Sequence, residues 1–162
     1  MGGSAALAMK RAGTIHSVYA CDMSPEAVSD SISMGIADEG GSDPAEAARS
    51  ADVIMVATPV MTMESIFRQI APVMKPDAVV TDIGSVRGMV QEGARRALGA
   101  KFSQYAPCHP IAGGEKPGVR YAFADMFVGK KVISTAEEGM SARAVEIIES
   151  LWKSCGAQII RM

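Results

Sequence analysis

Cysteine, aromatic residues and unbalanced charge are all scarce in this chain, and each scarcity excludes something. The three cysteines (Cys21, Cys108 and Cys155) are odd in number and far apart, and they form no C-x-x-C pair. A disulfide scaffold and a cysteine-clamped metal are therefore not expected, and small buried thiols in a reducing cytoplasm are. Aromatics make up 5% of the residues, so Met (12) and Ala fill much of the apolar quota. The net charge is −2 with acids and bases interspersed, which leaves no electrostatic footprint for nucleic acid. No apolar run approaches the ~18 residues that span a membrane. The start, MGGSAALAMKRAG, lacks the charged region, apolar run and cleavage site of a secretory leader. What remains is 162 residues that are 48% hydrophobic, enough for one globular domain with a real core.

The elements follow from periodicity and punctuation. Gly3 to Ala12 reads as a helix of strong helix formers ended by Gly13. Ser17 to Cys21 reads as a strand closed by Asp22, and Ser24-Pro25 opens a helix running to Met34. Asp38 to Ser42 reads as a turn, and Asp43-Pro44-Ala45-Glu46 as the start of a short helix. The run Val53 to Ala57 has the mark of a strand buried on both faces. Met63, Ile66, Phe67, Ile70 and Met74 fall on one helix face. Ala78 to Thr81 reads as a strand, Arg87 to Leu98 as a helix and Phe102 to Cys108 as a strand. Val119 to Met126 reads as a short helix, Lys131 to Ser134 as a strand, Ser141 to Ser154 as a helix and Gln158 to Arg161 as a last strand. Strands alternating with helices predict a doubly wound parallel α/β sheet.

The stretch that carries chemistry is HPIAGGEKPG, His109 to Gly118, with three glycines and two prolines around one of only two histidines. Such composition suits a fixed loop presenting polar groups. Three predicted strand ends, Thr58-Pro59, Gly84-Ser85 and Cys108-His109, share the carboxyl edge where such sheets bind ligands. Ser85 also suits a plain helix cap. Gly2 fits the third glycine of a dinucleotide fingerprint, and Asp22 fits the acid about 20 residues on that accepts hydrogen bonds from the adenosine ribose. That acid would repel a 2′-phosphate and favour NAD over NADP, although Asp22 serves a turn equally well.

Taken together, GGSAALAMKRAG, CDMSPEAV, ADVIMVATPV, PDAVVTDIGSVR, HPIAGGEKPGV and ADMFVGKKVI resemble bacterial prephenate dehydrogenases of the cyclohexadienyl type, in order and over nearly the whole chain. TDIGSV and HPIAGGEKPG are the specific parts. The resemblance implies NAD-dependent oxidative decarboxylation of prephenate, or arogenate in some members, to make tyrosine. It implies that His109 takes the proton of the substrate C4 hydroxyl, and that Ser85 bridges histidine, hydroxyl and nicotinamide. It places Gly2, Gly3, Ser4, Asp22, Thr58, Pro59 and Ser85 at the cofactor. It places Ser85, His109, Gly114, Glu115 and Lys116 at the substrate. Gly114 stands where relatives often carry Ser, Thr or Ala, and Arg87 where they often carry Lys.

The same resemblance implies that residues 1–162 are the NAD-binding domain, without the family's first strand and without its helical, dimerising, arginine-bearing C-terminal domain. The strands around Ala20 and Met55 would then lose a shared neighbour. The complete enzyme is expected to be a cytoplasmic homodimer that uses no metal, and the isolated chain to be inactive. Detectable prephenate-dependent NADH formation by that chain would contradict the last point. Two other readings stay open: a hydroxy-acid dehydrogenase on the same fold, and a non-catalytic nucleotide-binding remnant.

Overall fold

Three helices begin where the sequence supplies an oxygen for the first-turn amides. Ser24 Oγ accepts from the Ala27 N–H at 3.2 Å, the Asp43 carboxylate from Ala45 at 2.8 Å, and Ser141 Oγ from Ala144 at 3.1 Å. In the computed structural model the helices are α1 (Gly2–Arg11), α2 (Pro25–Ser33), α3 (Pro44–Ser50), α4 (Val60–Ile70), α5 (Arg87–Leu98) and α6 (Ala142–Ser154). The strands are β1 (Tyr19–Cys21), β2 (Glu39–Gly41), β3 (Val53–Val56), β4 (Val79–Asp82), β5 (Cys108–Pro110), β6 (Lys131–Ser134) and β7 (Gln158–Arg161). The structure describes residues 1–114, 116 and 118–162, with the side chain of Arg87 also outside the description.

Strand β1 pairs parallel with β2, and β3 parallel with β4, Val53 lying opposite Val79. A parallel bridge from Val80 to Tyr105 and the Ala106 N–H bond to the Val80 carbonyl (2.8 Å) carry the pairing from β4 to the segment entering β5. Strand β6 then pairs antiparallel with β5 and parallel with β7. Alternation along β4 sends successive residues to opposite faces. Val79 enters one core with α1 and α6 (Ala5, Met9, Ile148, Trp152), and Val80 enters a second with α4 and α5 (Phe67, Ile70, Val90, Leu98). Helices on both faces of mostly parallel strands make a doubly wound α/β domain.

Several local expectations give way. Glu39–Gly41, expected as a turn, is a strand, because Gly40 can lie against β1. A Cβ there would come within 2.7 Å of the Ala20 carbonyl oxygen and 2.6 Å of Val28. Residues 102–108 are not one strand. Gly99–Gln104 is a 3-10 turn, Tyr105 makes a single bridge to Val80, and the strand proper is Cys108–Pro110. Lys101 Nζ donates to the carbonyls of Ala71 (2.6 Å) and Met74 (3.1 Å), and Gln104 Nε2 to those of Lys75 (3.1 Å) and Ala78 (2.6 Å). These long side chains hold the turn against the exit of α4. Only Val119–Tyr121 of the expected helix 119–126 is helical, again as a 3-10 turn. Strand β3 is half-buried except at Val56 rather than enclosed on both faces. Among the described residues β3 pairs with β4 alone and β1 with β2 alone. Cys108 and Cys155 are buried as expected, but Cys21 is exposed.

Candidate active site

Strand β4 ends in a buried carboxylate. Asp82, 3% exposed, accepts the Gly84 N–H at 2.7 Å and the Tyr105 hydroxyl. The turn it makes is tight. A Cβ on Gly84 would stand 2.9 Å from Asp82 Oδ1, 3.3 Å from Val90 and 3.4 Å from Met63. Ser85 follows directly and is exposed. It is not the helix cap that its position suggested, since that place is taken by Val86 with no side-chain cap bond. Burial, then the Asp82 charge, pushes the Tyr105 hydroxyl far up, so it stays protonated and donates.

His109 sits inside β5, opposite Ile133 of β6, between buried Cys108 and buried Pro110. It was expected in a loop beyond a parallel strand, and the antiparallel pairing with β6 holds it as strand instead. Asp82, Gly84, Val90, Gln91, Tyr105 and His109 line one small cavity. The structure thus brings the turn before Ser85 to the histidine. Asp82, Tyr105 and Gln91 were missed as site residues. The only signal was the Asp at a strand end two residues before Gly84. Gly114 is exposed with Met126 nearest (3.8 Å from an ideal Cβ), which leaves ordinary room for a small side chain there. Lys116 is exposed over the Tyr121 ring (5.3 Å). Glu115 lies outside the described residues.

Of the other expected cofactor residues, the start of α1 lies beside the end of β3. Helix α1 approaches so closely that a Cβ on Gly2 would be 2.8 Å from that of Ala57. Gly3 packs against Val119 and Ala122. The first intrahelical bond is from Ala5 N–H to Met1 (3.1 Å), so the Gly2, Gly3 and Ser4 amides are the first-turn donors. Ser4 departs from expectation. The whole residue is buried and its Oγ accepts from the Phe123 N–H at 3.2 Å, so Ser4 presents nothing to a ligand. Asp22 is exposed at the end of β1, with Oδ1 accepting from the Ser24 N–H at 2.9 Å. It is therefore a turn residue whose carboxylate still faces solvent. Thr58 Oγ1 is buried with no hydrogen-bond partner among the described residues, and Pro59 leads into α4. Among the described residues there is no group of three or more His, Cys, Asp or Glu that could hold a metal, and no helix is long and apolar enough to cross a membrane.

Comparison with known proteins points the same way. The family model of the prephenate dehydrogenase nucleotide-binding domain matches residues 5–161. Prephenate dehydrogenase of Bacillus subtilis is 27% identical over 163 residues, covering 100% of this chain and 44% of the relative. Cyclohexadienyl dehydrogenase of Zymomonas mobilis is 30% identical over 126 residues, covering 78% of this chain and 42% of the relative. The chain therefore spans less than half the length of these curated relatives. The crystal structure of prephenate dehydrogenase from Aquifex aeolicus, in complex with hydroxyphenyl propionate and NAD+, superposes with a TM-score of 0.93 at 34% identity, covering 100% of this chain and 56% of that one. With the family model matching almost every residue and the TDIGSV and HPIAGG segments meeting at one cavity, the chain belongs to the nucleotide-binding domains of the prephenate dehydrogenase family.

Proposed function

We propose that this chain is the NAD-binding domain of an NAD-dependent prephenate dehydrogenase, a cytoplasmic biosynthetic enzyme that acts at the length of its relatives and as a homodimer. The observation that carries the reading is the meeting of the Asp82–Ser85 turn with His109 at one cavity. The other expected cofactor residues fit a dinucleotide. Gly2 leaves no room for a side chain beside Ala57, the first-turn amides of α1 lack intrahelical acceptors, and the buried Thr58 hydroxyl has no partner among the described residues. The amides of Gly2 and Gly3 would hold the pyrophosphate. Asp22 would take the ribose hydroxyls and disfavour a 2′-phosphate. Thr58 and Pro59 would flank the cofactor where their loop passes it. When bound, NAD+ supplies the two-electron acceptor.

In this reading His109 accepts the C4 hydroxyl proton of prephenate as that carbon is oxidised. Ser85 holds the same hydroxyl in line. Loss of the ring carboxylate as CO2 makes the ring aromatic, which makes the reaction irreversible in practice. Gly114, Glu115 and Lys116 would shape the substrate side of the pocket. Arogenate is the second reading, favoured by the breadth of the name carried by the Zymomonas relative. The test is NADH formation with prephenate and with arogenate by the protein at its relatives' length, alongside its His109→Asn variant. The variant is expected to bind NAD+ within about threefold of the parent and to lose about 100-fold or more in kcat, the usual contribution of a general base. Unchanged kcat would remove His109 from the mechanism, and NAD+ binding without turnover on either substrate would favour a non-catalytic role.

A further inference from the structure

Two residues of the cavity have no part in the chemistry just proposed, yet they join its two working pieces. Asp82 is almost fully buried, and each of its oxygens has its own donor, the Gly84 N–H on one and the Tyr105 hydroxyl on the other. A carboxylate buried this deeply is tolerable only when so satisfied. Tyr105 is fully buried and clamped between the rings of Phe67 (5.6 Å) and Phe102 (5.7 Å). Its backbone is tied to β4 by the bridge to Val80 and the Ala106 bond. Downstream of Tyr105 the chain enters β5 and presents His109, and downstream of Asp82 it turns at Gly84 and presents Ser85. The two presenting segments therefore share one carboxylate.

We propose that Asp82 and Tyr105 are a positioning pair that fixes Ser85 relative to His109. Neither contributes an atom to the reaction. Tyr105 holds Asp82 in the rotamer that grips the Gly84 amide, and that grip fixes the turn from which Ser85 follows. The chemical meaning of this inference rests on the roles proposed for Ser85 and His109, but its geometry does not.

The test uses the 162-residue chain, isotopically labelled, and its Tyr105→Phe and Phe67→Leu variants. The readouts are melting temperature, the Gly84 and Ser85 amide signals and the His109 ring signals in NMR spectra. Tyr105→Phe keeps both aromatic contacts and removes only the hydroxyl. It is expected to melt within a few degrees of the parent while shifting or broadening the Gly84, Ser85 and His109 signals. Phe67→Leu loosens the packing around Tyr105 and keeps the hydroxyl, so it should melt lower and leave those three signals nearly in place. Unmoved signals in Tyr105→Phe would overturn the proposal, as would equal displacement in Phe67→Leu. Neither readout needs turnover, so a protein that fails to oxidise prephenate defeats the functional proposal and leaves this result standing.

Discussion

At the scale of single residues, the site depends on how little space surrounds Gly84. An added methyl would meet Asp82 Oδ1 at 2.9 Å with Val90 and Met63 behind it, so either the turn or the carboxylate must move. Gly84→Ala is expected to cost about 1–3 kcal/mol, the usual range for overpacking a well-filled site. Urea denaturation measures it, and a loss below about 0.5 kcal/mol would mean that the turn has slack the geometry denies. His109 and Ser85 stand out as candidates in the sequence because each lies in a distinctive local motif. Asp82 and Tyr105 do not, since a hydrogen bond between residues 23 apart depends on the parallel passage of β4 beside the segment entering β5. Ser4 was legible as a first-turn residue, but nothing local foretold that Phe123 would fold back onto its hydroxyl.

At the scale of elements, β3 shows what strand pairing leaves undone. The Asp52 and Val56 carbonyls accept from Val79 (2.9 Å) and Ile83 (3.3 Å) on the β4 side. In a parallel ladder alternate residues face opposite edges, which turns the Val53 and Met55 amides away from β4. Among the described residues no strand pairs with that edge. In native-state hydrogen exchange the Met55 amide should therefore exchange at least about tenfold faster than that of Val56. Equal protection would show that β3 has a second partner. The amphipathic helices were readable because their apolar spacing is long and regular, as in α4, where Met63, Phe67 and Ile70 are all buried. The short elements were not. Strand β2 exists because two glycines fit against β1, and the Gly99–Gln104 turn because distant carbonyls accept from Lys101 and Gln104.

At the scale of the whole molecule, the two helices flanking the site are bound to each other by charge as well as by packing. Glu64 of α4 meets Arg96 of α5 at 2.7 Å and Arg68 at 2.5 Å, and these bonds pull its carboxyl down to about 2. A carboxyl lowered on folding stabilises the protein above its unfolded value, near 4.3. That contribution fades as the pH falls through about 2. Glu64→Gln should therefore melt below the parent at pH 7, with the gap closing toward pH 2. A gap that is the same at both ends would assign the loss to packing. The overall class was legible from alternating strands and helices, and the family from two motifs that the fold brings to one edge. The central claim is that the chain holds a dinucleotide through the start of α1 and the carboxylate of Asp22. Calorimetric titration of the chain with NAD+ and with NADP+ tests it most directly. The account predicts one site for NAD+ and at least about tenfold weaker binding of NADP+, a difference that Asp22→Ala should reduce. Equal affinity for the two, or binding of neither, would contradict it.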